Sequence, residues 1–272
     1  MTLEVQICTI GDGILKVPEI FLPEREDVKY LISWQIDNPL NISNVAMLAC
    51  FHRKDVRLFT MQGQGLSRNR NNALIRTEGD IVLIGDDDCR YSNEYFDNII
   101  KTYKRCNADI ILFELNDLMP ENVYQQVQEK PYPKTSMSYK KAMRHKGYYP
   151  CSCEMTLSRK AIEVGNIKFN EDFGLGSGRY ICGEESVLIK DAEKQGLKVM
   201  FEPKVIVDTP RTTTGTKFLS DTRVQIAKGA TFKYCYPKWE AWIRCWKEAL
   251  HYAVYHHANA VQLFNTMWKT DK

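Results

Sequence analysis

The sequence lacks the features that mark membrane-spanning, secreted and nucleic-acid-binding proteins. No apolar run approaches the roughly 20 residues that span a bilayer, and the N-terminal stretch has neither the charged start nor the apolar core of a secretory signal. The 37 lysines and arginines barely exceed the 34 aspartates and glutamates, so charge gives no argument for nucleic acid. The nine cysteines have no disulfide or zinc spacing and are expected to be reduced thiols. We therefore expect a cytoplasmic protein that binds no nucleic acid.

No internal repeat is visible, and strand-like and helix-like patterns alternate along the chain. Strands are predicted at 3–10, 28–34, 56–61, 81–85, 109–115 and 148–157, and helices at 43–51, 67–76 and 93–104. This rhythm predicts an α/β fold whose central sheet is mostly parallel and flanked by helices. At 272 residues, we expect one catalytic domain over 1–215, with halves at about 1–115 and 116–215, and a C-terminal helical extension over 216–272.

Three adjacent carboxylates, Asp86, Asp87 and Asp88, follow the predicted buried strand at 81–85. Ligands of open α/β sheets bind outside the carboxyl ends of the strands. A helix cap would use one carboxylate and leave two unexplained. Three negative charges in a row favour neutralisation by a hard cation, and oxygen ligands suit Mg²⁺ or Mn²⁺ held between carboxylates and a diphosphate.

A glycine and a basic helix start stand upstream of the acidic run. Gly65 precedes Ser67, a candidate N-cap, and Arg68 and Arg70 lie in the first turns. A helix N-terminus attracts anions, and arginine offers two parallel donors to phosphate or carboxylate. The alternative is a solvated helix face whose arginines pair with nearby acids. Together with the acidic run, this helix predicts a site for a metal and a diphosphate.

Three segments in order resemble the core of family 2 glycosyltransferases, enzymes of the GT-A fold. They are 65–73 (GLSRNRNNA), 78–88 (EGDIVLIGDDD) and 183–203, which begins GEESVLIKDAEKQG. The match covers roughly residues 56 to 208 and is closest to bacterial enzymes that build surface polysaccharides. The resemblance implies a GT-A-like fold, a nucleotide-sugar donor and a divalent metal.

On that resemblance, the donor would be bound at the first strand end and along the two central motifs. Its contacts would come from Thr9, Gly11, Asp12, Arg68, Arg70, Asn71, Asp86 and Asp87. The chain departs from the family pattern after the second strand, where the usual acidic contact to uracil is replaced by Trp34 and Gln35. A UDP-sugar remains the expected donor, and a donor with a different nucleotide is the alternative.

The resemblance also implies the metal ligands and the catalytic base. Asp88 and Asp86 would hold the metal, and Asp208 stands where the family often has a metal-binding histidine. Glu185 occupies the position of the family's base, favoured over its neighbour Glu184 because successive helix residues point about 100° apart. Acids at a helix N-terminus also have an ordinary explanation in the helix dipole, which leaves both roles open.

The C-terminal region is rich in aromatic residues at helical spacing, including Trp239, Trp242 and Trp246. This apolar face is expected to pack on the catalytic domain or on a second copy in a homodimer. The alternative is contact with the inner face of a membrane, where Trp and Lys are favoured and a lipid-linked acceptor is found.

These features predict an inverting, metal-dependent glycosyltransferase that moves a sugar from a nucleotide diphosphate to an acceptor hydroxyl. The acceptor would be a saccharide or a lipid-linked saccharide in bacterial polysaccharide or glycoconjugate synthesis. Two alternatives stay open. A sugar-phosphate nucleotidyltransferase would share the metal and the nucleotide, and a catalytically silent scaffold protein would use the aromatic tail to bind partners in an assembly complex.

Overall fold

The computed structural model describes residues 1–36, 49–118, 130–210 and 217–269. Its contacts divide the chain into two units. The first comprises 1–64, 69–168 and 191–211, and the second comprises 65–68, 169–190 and 212–272. In the described ranges, no helix is both long and apolar enough to cross a bilayer.

Four parallel strands form one half of the sheet in the first unit. They are β1 (Leu3–Ile10), β2 (Val28–Ile36), β3 (Val56–Gln62) and β4 (Ile81–Asp86). β1 lies between β2 and β4, and β3 lies outside β2. Their alternating faces are both buried in β1 and β4, as expected for strands covered on two sides. Because the strands are parallel, their carboxyl ends meet at one edge.

The other half of the sheet is mixed. It contains β5 (Ile110–Asp117), β6 (Met137–Ser138), β7 (Met155–Ser158) and β8 (Val199–Thr209). The order across the described sheet is β3-β2-β1-β4-β7-β5-β8-β6. β7 runs antiparallel to both β4 and β5, while β5 and β8 are parallel. The predicted fold class, a mostly parallel sheet flanked by helices, is confirmed.

Helices connect these strands. The α-helices are α1 (Leu66–Leu74), α2 (Asn93–Arg105), α3 (Tyr139–Ala142) and α4 (Arg159–Glu163), with 3₁₀ helices at Gly11–Ile20, Ala49–His52 and Ser152–Glu154. α2 begins after Ser92, whose hydroxyl accepts the N–H of Tyr95 at 3.2 Å and so caps the helix. Its apolar residues fall on one face and enter the main core.

The remaining helices are α5 (Glu184–Lys194), α6 (Thr222–Cys235), α7 (Lys238–His256) and α8 (Ala260–Trp268). In the second unit, α6, α7 and α8 pack around a separate core that includes Cys245, Ala249 and Met267. α6 and α8 approach closely at Gly229, where any Cβ would overlap the carbonyl of Met267. α7 ends at His257, which has the left-handed conformation (φ 55°) typical of a helix C-terminus.

The predicted elements agree with the structure in most places. Strands 1 to 5 and the helices at 67–76 and 93–104 are present, with ends that differ by up to a few residues. The predicted strand at 148–157 is shorter, because a 3₁₀ helix at Ser152–Glu154 occupies its middle and β7 starts at Met155. Most of the predicted helix at 43–51 lies outside the described residues, as does the segment 119–129. The boundary at 215 stays a prediction.

Candidate active site

Asp86, the last residue of β4, is held by a buried arginine. It lies beside Cys8 of β1 in the sheet register. The guanidinium Nη2 of Arg70 is 3.1 Å from Asp86 Oδ1 and 3.4 Å from Oδ2, and it also donates to Ser152 Oγ at 2.8 Å. Arg70 is only 1% exposed. A buried charge needs such partners, so Asp86 and Arg70 fix each other's position at the strand edge.

Asp87 is hydrogen-bonded to the end of β1 and lies close to the turn that follows this strand. Thr9 Oγ1 donates to Asp87 Oδ2 at 2.5 Å. A Cβ on Gly13 would lie 2.5 Å from Thr9 Oγ1 and would overlap the Asp87 carboxylate, so this turn needs glycine to approach the acidic loop. Gly11 has φ 53°, and its carbonyl accepts the indole N–H of Trp34 at 2.9 Å. The end of the first strand and the acidic run are therefore in direct contact with each other.

Of the three carboxylates in the run, Asp88 has the least compensation of its negative charge by partners in the protein. Its side chain is exposed, yet surrounding protein shields part of its hydration and raises its pKa, and the charges of Asp86 and Asp87 raise this pKa further. Lys16 opposes the shift more weakly. Asp86 and Asp87 have bonding partners within the protein, whereas the excess negative charge falls on Asp88. A bound cation would neutralise this excess negative charge.

Asparagines of α1 join the ends of β1 and β2. Asn69 Nδ2 donates to the carbonyls of Thr9 and Ser33, both at 3.1 Å, and Asn72 Nδ2 donates to Ser33 Oγ at 2.8 Å. The carbonyl of Arg70 accepts from Gln6 Nε2 at 2.7 Å. This bonding was not predicted, because the sequence motif suggested ligand contacts. These hydrogen bonds show that several residues of the α1 motif stabilise the edge of the sheet.

Two other predicted donor-site residues of α1 have different surroundings. Arg68 is exposed and belongs to the second unit, whereas Asn71 is half-buried and belongs to the first. Asp12 is exposed in the turn after β1. Contact of these three side chains with a donor stays a prediction.

Asp208, near the end of β8, lies beside the loop that carries the acidic run. Its backbone exchanges two hydrogen bonds with Arg90, at 2.8 and 2.9 Å. Its Oδ1 accepts from Tyr95 Oη at 2.8 Å and from Asn116 Nδ2 at 2.9 Å. Burial and the charge of Asp208 raise the pKa of Tyr95 to about 12, so the phenol stays a donor at neutral pH. One carboxylate oxygen is thus already bonded, and Asp208 as a metal ligand stays a prediction.

The acids do not form a complete metal site on their own. Among the described residues, no three His, Cys, Asp or Glu side chains are grouped so that they could hold an ion. Mg²⁺ commonly keeps only one or two protein carboxylates and takes its other ligands from water and substrate phosphates. The donor set at Asp86 and Asp88 fits that incomplete kind of coordination.

A buried ion pair supports the turn behind Arg70. Lys130 Nζ lies 2.6 and 2.7 Å from the two carboxylate oxygens of Glu154, and Tyr132 Oη donates to Glu154 Oε1 at 2.5 Å. Both charged side chains are almost completely buried. Glu154 ends the 3₁₀ helix that begins at Ser152, the hydroxyl partner of Arg70. The pair was not predicted, because Lys130 and Glu154 are 24 residues apart and neither belongs to a motif.

Lys130→Met should destabilise the protein by about 3–5 kcal/mol, because it leaves Glu154 charged and buried without its cation. The free energy of unfolding from urea titration measures this. Lys101→Met is the matched control, since Lys101 pairs with Asp97 on the surface at 3.3 Å and its loss should cost below about 1 kcal/mol. Equal effects of the two substitutions would show that the buried ion pair contributes no more to the free energy of unfolding than the exposed one.

In the second unit, the N-terminus of α5 presents Glu184 and Glu185 in different environments. Glu184 is 5% exposed, and a Cβ on Gly174 would lie 3.4 Å from its carboxyl carbon. Glu185 is half-exposed. Burial and the charges of these two carboxylates raise the pKa of Cys182 to about 12. Only Glu185 therefore combines solvent access with the predicted position of the base.

The loop before α5 is joined to the start of α1 within the same unit. Ser67 Oγ donates to the carbonyl of Phe173 at 2.5 Å, and the N–H of Leu66 donates to the carbonyl of Leu175 at 2.8 Å. Gly174 has φ 104°, a conformation that favours glycine. Ser67 does not cap the N-terminus of α1 as predicted, because its hydroxyl binds this loop and the helix already starts at Leu66.

The predicted site residues are thus divided between the two units. The first unit brings together Thr9, Gly11, Arg70, Asp86, Asp87 and Asp88 at the carboxyl edge of the parallel strands. Arg68, Glu184 and Glu185 belong to the second unit.

Comparison with known proteins finds one matching family model and solved structures of similar fold. Residues 38–165 match the family model described as "Glycosyl transferase family 2". No curated protein matches the sequence significantly. Solved structures share its fold at low sequence identity. S. aureus TarS aligns with 14% identity and a TM-score of 0.57, over 93% of this chain but only 44% of the TarS chain. The present chain therefore spans less than half of that protein.

Two further structures align over most of both chains. S. aureus TarS 1-349 in complex with UDP-GlcNAc has 12% identity and a TM-score of 0.60, covering 98% of this chain and 90% of that one. Glucosyl-3-phosphoglycerate synthase from Mycobacterium tuberculosis, in complex with phosphoglyceric acid, has 12% identity and a TM-score of 0.52, with coverages of 86% and 80%. Residues 38–165 are thus similar to family 2 glycosyltransferases, and most of the chain shares its fold with these solved structures.

Proposed function

We propose that the chain is a metal-dependent, inverting glycosyltransferase that uses a UDP-sugar and acts in bacterial polysaccharide or glycoconjugate synthesis. The observation that carries the metal dependence is the environment of Asp88. Its pKa is raised by shielding from water and by two neighbouring carboxylates, at the sheet edge where ligands of such folds bind. A site that concentrates negative charge in this way favours a divalent cation.

The described side chains fit Mg²⁺ or Mn²⁺. Asp88 would hold the ion, with the free coordination capacity of Asp86 beside it and Asp208 as a further candidate. All three offer only oxygen, which suits these hard cations. When bound, the cation stabilises negative charge that develops on the leaving diphosphate. Arg70 orients Asp86, because it is a permanently charged, buried partner at 3.1 Å.

The donor nucleotide would lie at the carboxyl ends of β1 and β2. Trp34 and Gln35, which replace the usual acidic contact, are both buried, and they donate to the carbonyls of Gly11 and Gly63. This bonding makes them supports of the strand-end turns. Recognition of the base or ribose would then fall to the exposed Asp12 and to backbone groups near Gly11. The UDP complexes of S. aureus TarS support a uridine nucleotide for this chain.

The acceptor would be a hydroxyl group of a saccharide or of a lipid-linked saccharide. Glu185 is the proposed base, on two grounds: its place in the family motif and its access to solvent. It would take the proton of the hydroxyl as the acceptor oxygen attacks the anomeric carbon from the side opposite the diphosphate, which inverts that centre. A lipid-linked acceptor would place the enzyme in the cytoplasm at the inner face of the membrane.

The donor assignment is tested by thermal unfolding with UDP or GDP, each with and without Mn²⁺. A ligand that binds only the folded state at 100 times its dissociation constant adds about 2.7 kcal/mol, which should raise the melting temperature by about 5–10 °C. We expect UDP to give the larger shift and Mn²⁺ to increase it. ADP serves as the control for a diphosphate with a different base.

The result also separates the parts of the proposal. A shift with UDP that is independent of Mn²⁺ would retain the donor and remove the metal. An equal shift with UDP, GDP and ADP would support binding of the diphosphate but contradict specificity for uridine. No shift with any nucleotide diphosphate in either metal condition would contradict the donor site.

A further inference from the structure

Helix α7 exposes an apolar face that its own unit does not cover. Trp239 is 67% exposed and Val254 is 68% exposed. Three more large apolar residues of the helix are exposed between them: Trp242, Ile243 and Leu250. At 100° per residue these five side chains fall within roughly 120° of the helix circumference. Contiguous exposed apolar surface of this kind marks a site of interaction with another molecule or a membrane.

The opposite side of α7 is already in use. Ala241, Cys245 and Ala249 are completely buried in the second unit. Trp246 falls between Trp242 and Trp239 on the helix circumference, but it is partly buried because it stacks on Phe264 of α8 with ring centroids 4.2 Å apart. The exposed face, which we call the Trp239–Val254 face, borders the packed side at Trp242, whose ring meets that of Phe264 edge-on at 5.8 Å. Its other members remain exposed.

The charge around this face is strongly positive. Residues 217–269 contain eight lysines and arginines but only three acids, a surplus of five, whereas the whole chain has a net charge of only +3. Each of the three acids pairs with a cation of the same region, Asp221 with Arg223, Glu240 with Arg244 and Glu248 with Lys228. Lys238 and Lys247 are exposed on α7, and no acidic side chain among the described residues pairs with them.

The positions of these lysines add to the apolar face. Lys238 precedes Trp239 at the helix start, and Lys247 lies between Ile243 and Leu250 along the edge of the face. An apolar stripe with tryptophans and flanking lysines is the pattern of helices that lie in a membrane interface, with the apolar side among the acyl chains and the cations near anionic headgroups.

We propose that the Trp239–Val254 face docks on an anionic lipid bilayer, with α7 lying parallel to the surface. A second copy of the chain is the weaker occupant, because a two-fold contact through this face would bring the unpaired lysines of both copies together. The lipid surface instead supplies the missing negative charge. This inference is independent of the donor, metal and base assignments, and it is tested without any nucleotide.

The test is co-sedimentation of the full chain with vesicles. We expect binding to vesicles that contain phosphatidylglycerol, weak binding to pure phosphatidylcholine, and loss of binding at high salt. Val254→Asp should reduce the partition coefficient about tenfold or more, because it places a charge within the inserted apolar face. Lys247→Gln should reduce it about fivefold, as expected for one cation near an anionic surface.

Val164→Asp is the matched control. Val164 follows α4 in the first unit and is 76% exposed, so the same substitution occurs at a similarly exposed valine that does not belong to α7. It should leave vesicle binding unchanged. Unfolding transitions of the three variants that match the parent protein would show that they remain folded. The proposal fails if the parent protein does not bind anionic vesicles, if Val164→Asp and Val254→Asp bind equally, or if α7 instead forms a dimer that Val254→Asp dissociates.

Discussion

Asp88→Asn should abolish the extra thermal stabilisation that Mn²⁺ gives to the UDP complex and lower the transfer rate by roughly two to three orders of magnitude. The substitution preserves size but removes the charge that a hard cation requires. Several kcal/mol of charge stabilisation on the leaving diphosphate depend on that ion, which sets the expected loss in rate. Melting temperatures with UDP, with and without Mn²⁺, and initial transfer rates measure the two effects.

The same substitution should leave the metal-free protein as stable as before or slightly more stable. A carboxyl whose folded-state pKa is raised above its unfolded value opposes folding as pH increases through that range, so its charge lowers stability at neutral pH. Removing the charge removes the opposition. The Mn²⁺ effect in the parent protein should also weaken on acidification, because a proton and the metal compete for the Asp88 carboxyl.

Asp80→Asn is the matched control for this prediction. Asp80 is exposed and precedes β4, at the opposite end of the strand from the acidic run, where it accepts the N–H of Thr2 at 2.7 Å. Its substitution should change neither the Mn²⁺ effect nor the transfer rate. A Mn²⁺ effect that survives in Asp88→Asn would exclude this residue as a ligand and make Asp86 and Asp208 the next candidates.

The parallel half of the sheet was predictable because its signals are local. β1 runs from Leu3 to Ile10, as its apolar residues indicate, and β4 ends in the acidic run, as predicted. Such strands are buried on both sides, so nearly every residue is apolar and the ends are marked by polar residues. β7 was harder to delimit, because its four residues become a strand only through pairing with β4 and β5, which are distant in the sequence.

The site shows the same division between local and long-range information. The acids at the end of β4 could be located from the sequence, since a strand end and three carboxylates are adjacent in it. The bond between Arg70 and Ser152 could not, because those residues are 82 positions apart and serine carries no motif there. Because Arg70 lies in a motif typical of phosphate binding, the sequence suggested a ligand contact. In the structure, its partners are side chains of the protein itself.

Glu154 illustrates why a buried charge escapes sequence analysis. In the sequence it is one acid between two ordinary segments, and charged residues are expected at the surface. Its burial depends on Lys130 and Tyr132, which lie 24 and 22 residues before it in the sequence. Pairing of this kind depends on tertiary structure, which no local pattern encodes.

Glu185→Gln should lower the transfer rate by roughly two to four orders of magnitude while leaving donor affinity nearly unchanged. The amide keeps the shape of the side chain but cannot accept the acceptor proton, so the contribution of general base catalysis is lost. Donor affinity should persist, because the proposed role of this carboxylate concerns the acceptor hydroxyl. Steady-state transfer kinetics and UDP binding by calorimetry, measured on the same preparations, distinguish the two quantities.

Glu184→Gln is the control that the chain itself offers, one residue away on the same helix turn. Glu184 is 5% exposed and so has little access to an acceptor, whereas Glu185 is half-exposed. We expect Glu184→Gln to lower stability more than Glu185→Gln and to lower the rate per folded molecule less. A full rate loss in Glu184→Gln together with an active Glu185→Gln would exchange the two roles. If both variants kept most of their activity, α5 would begin with structural acids only, and the base of an inverting transfer would have to come from another carboxylate.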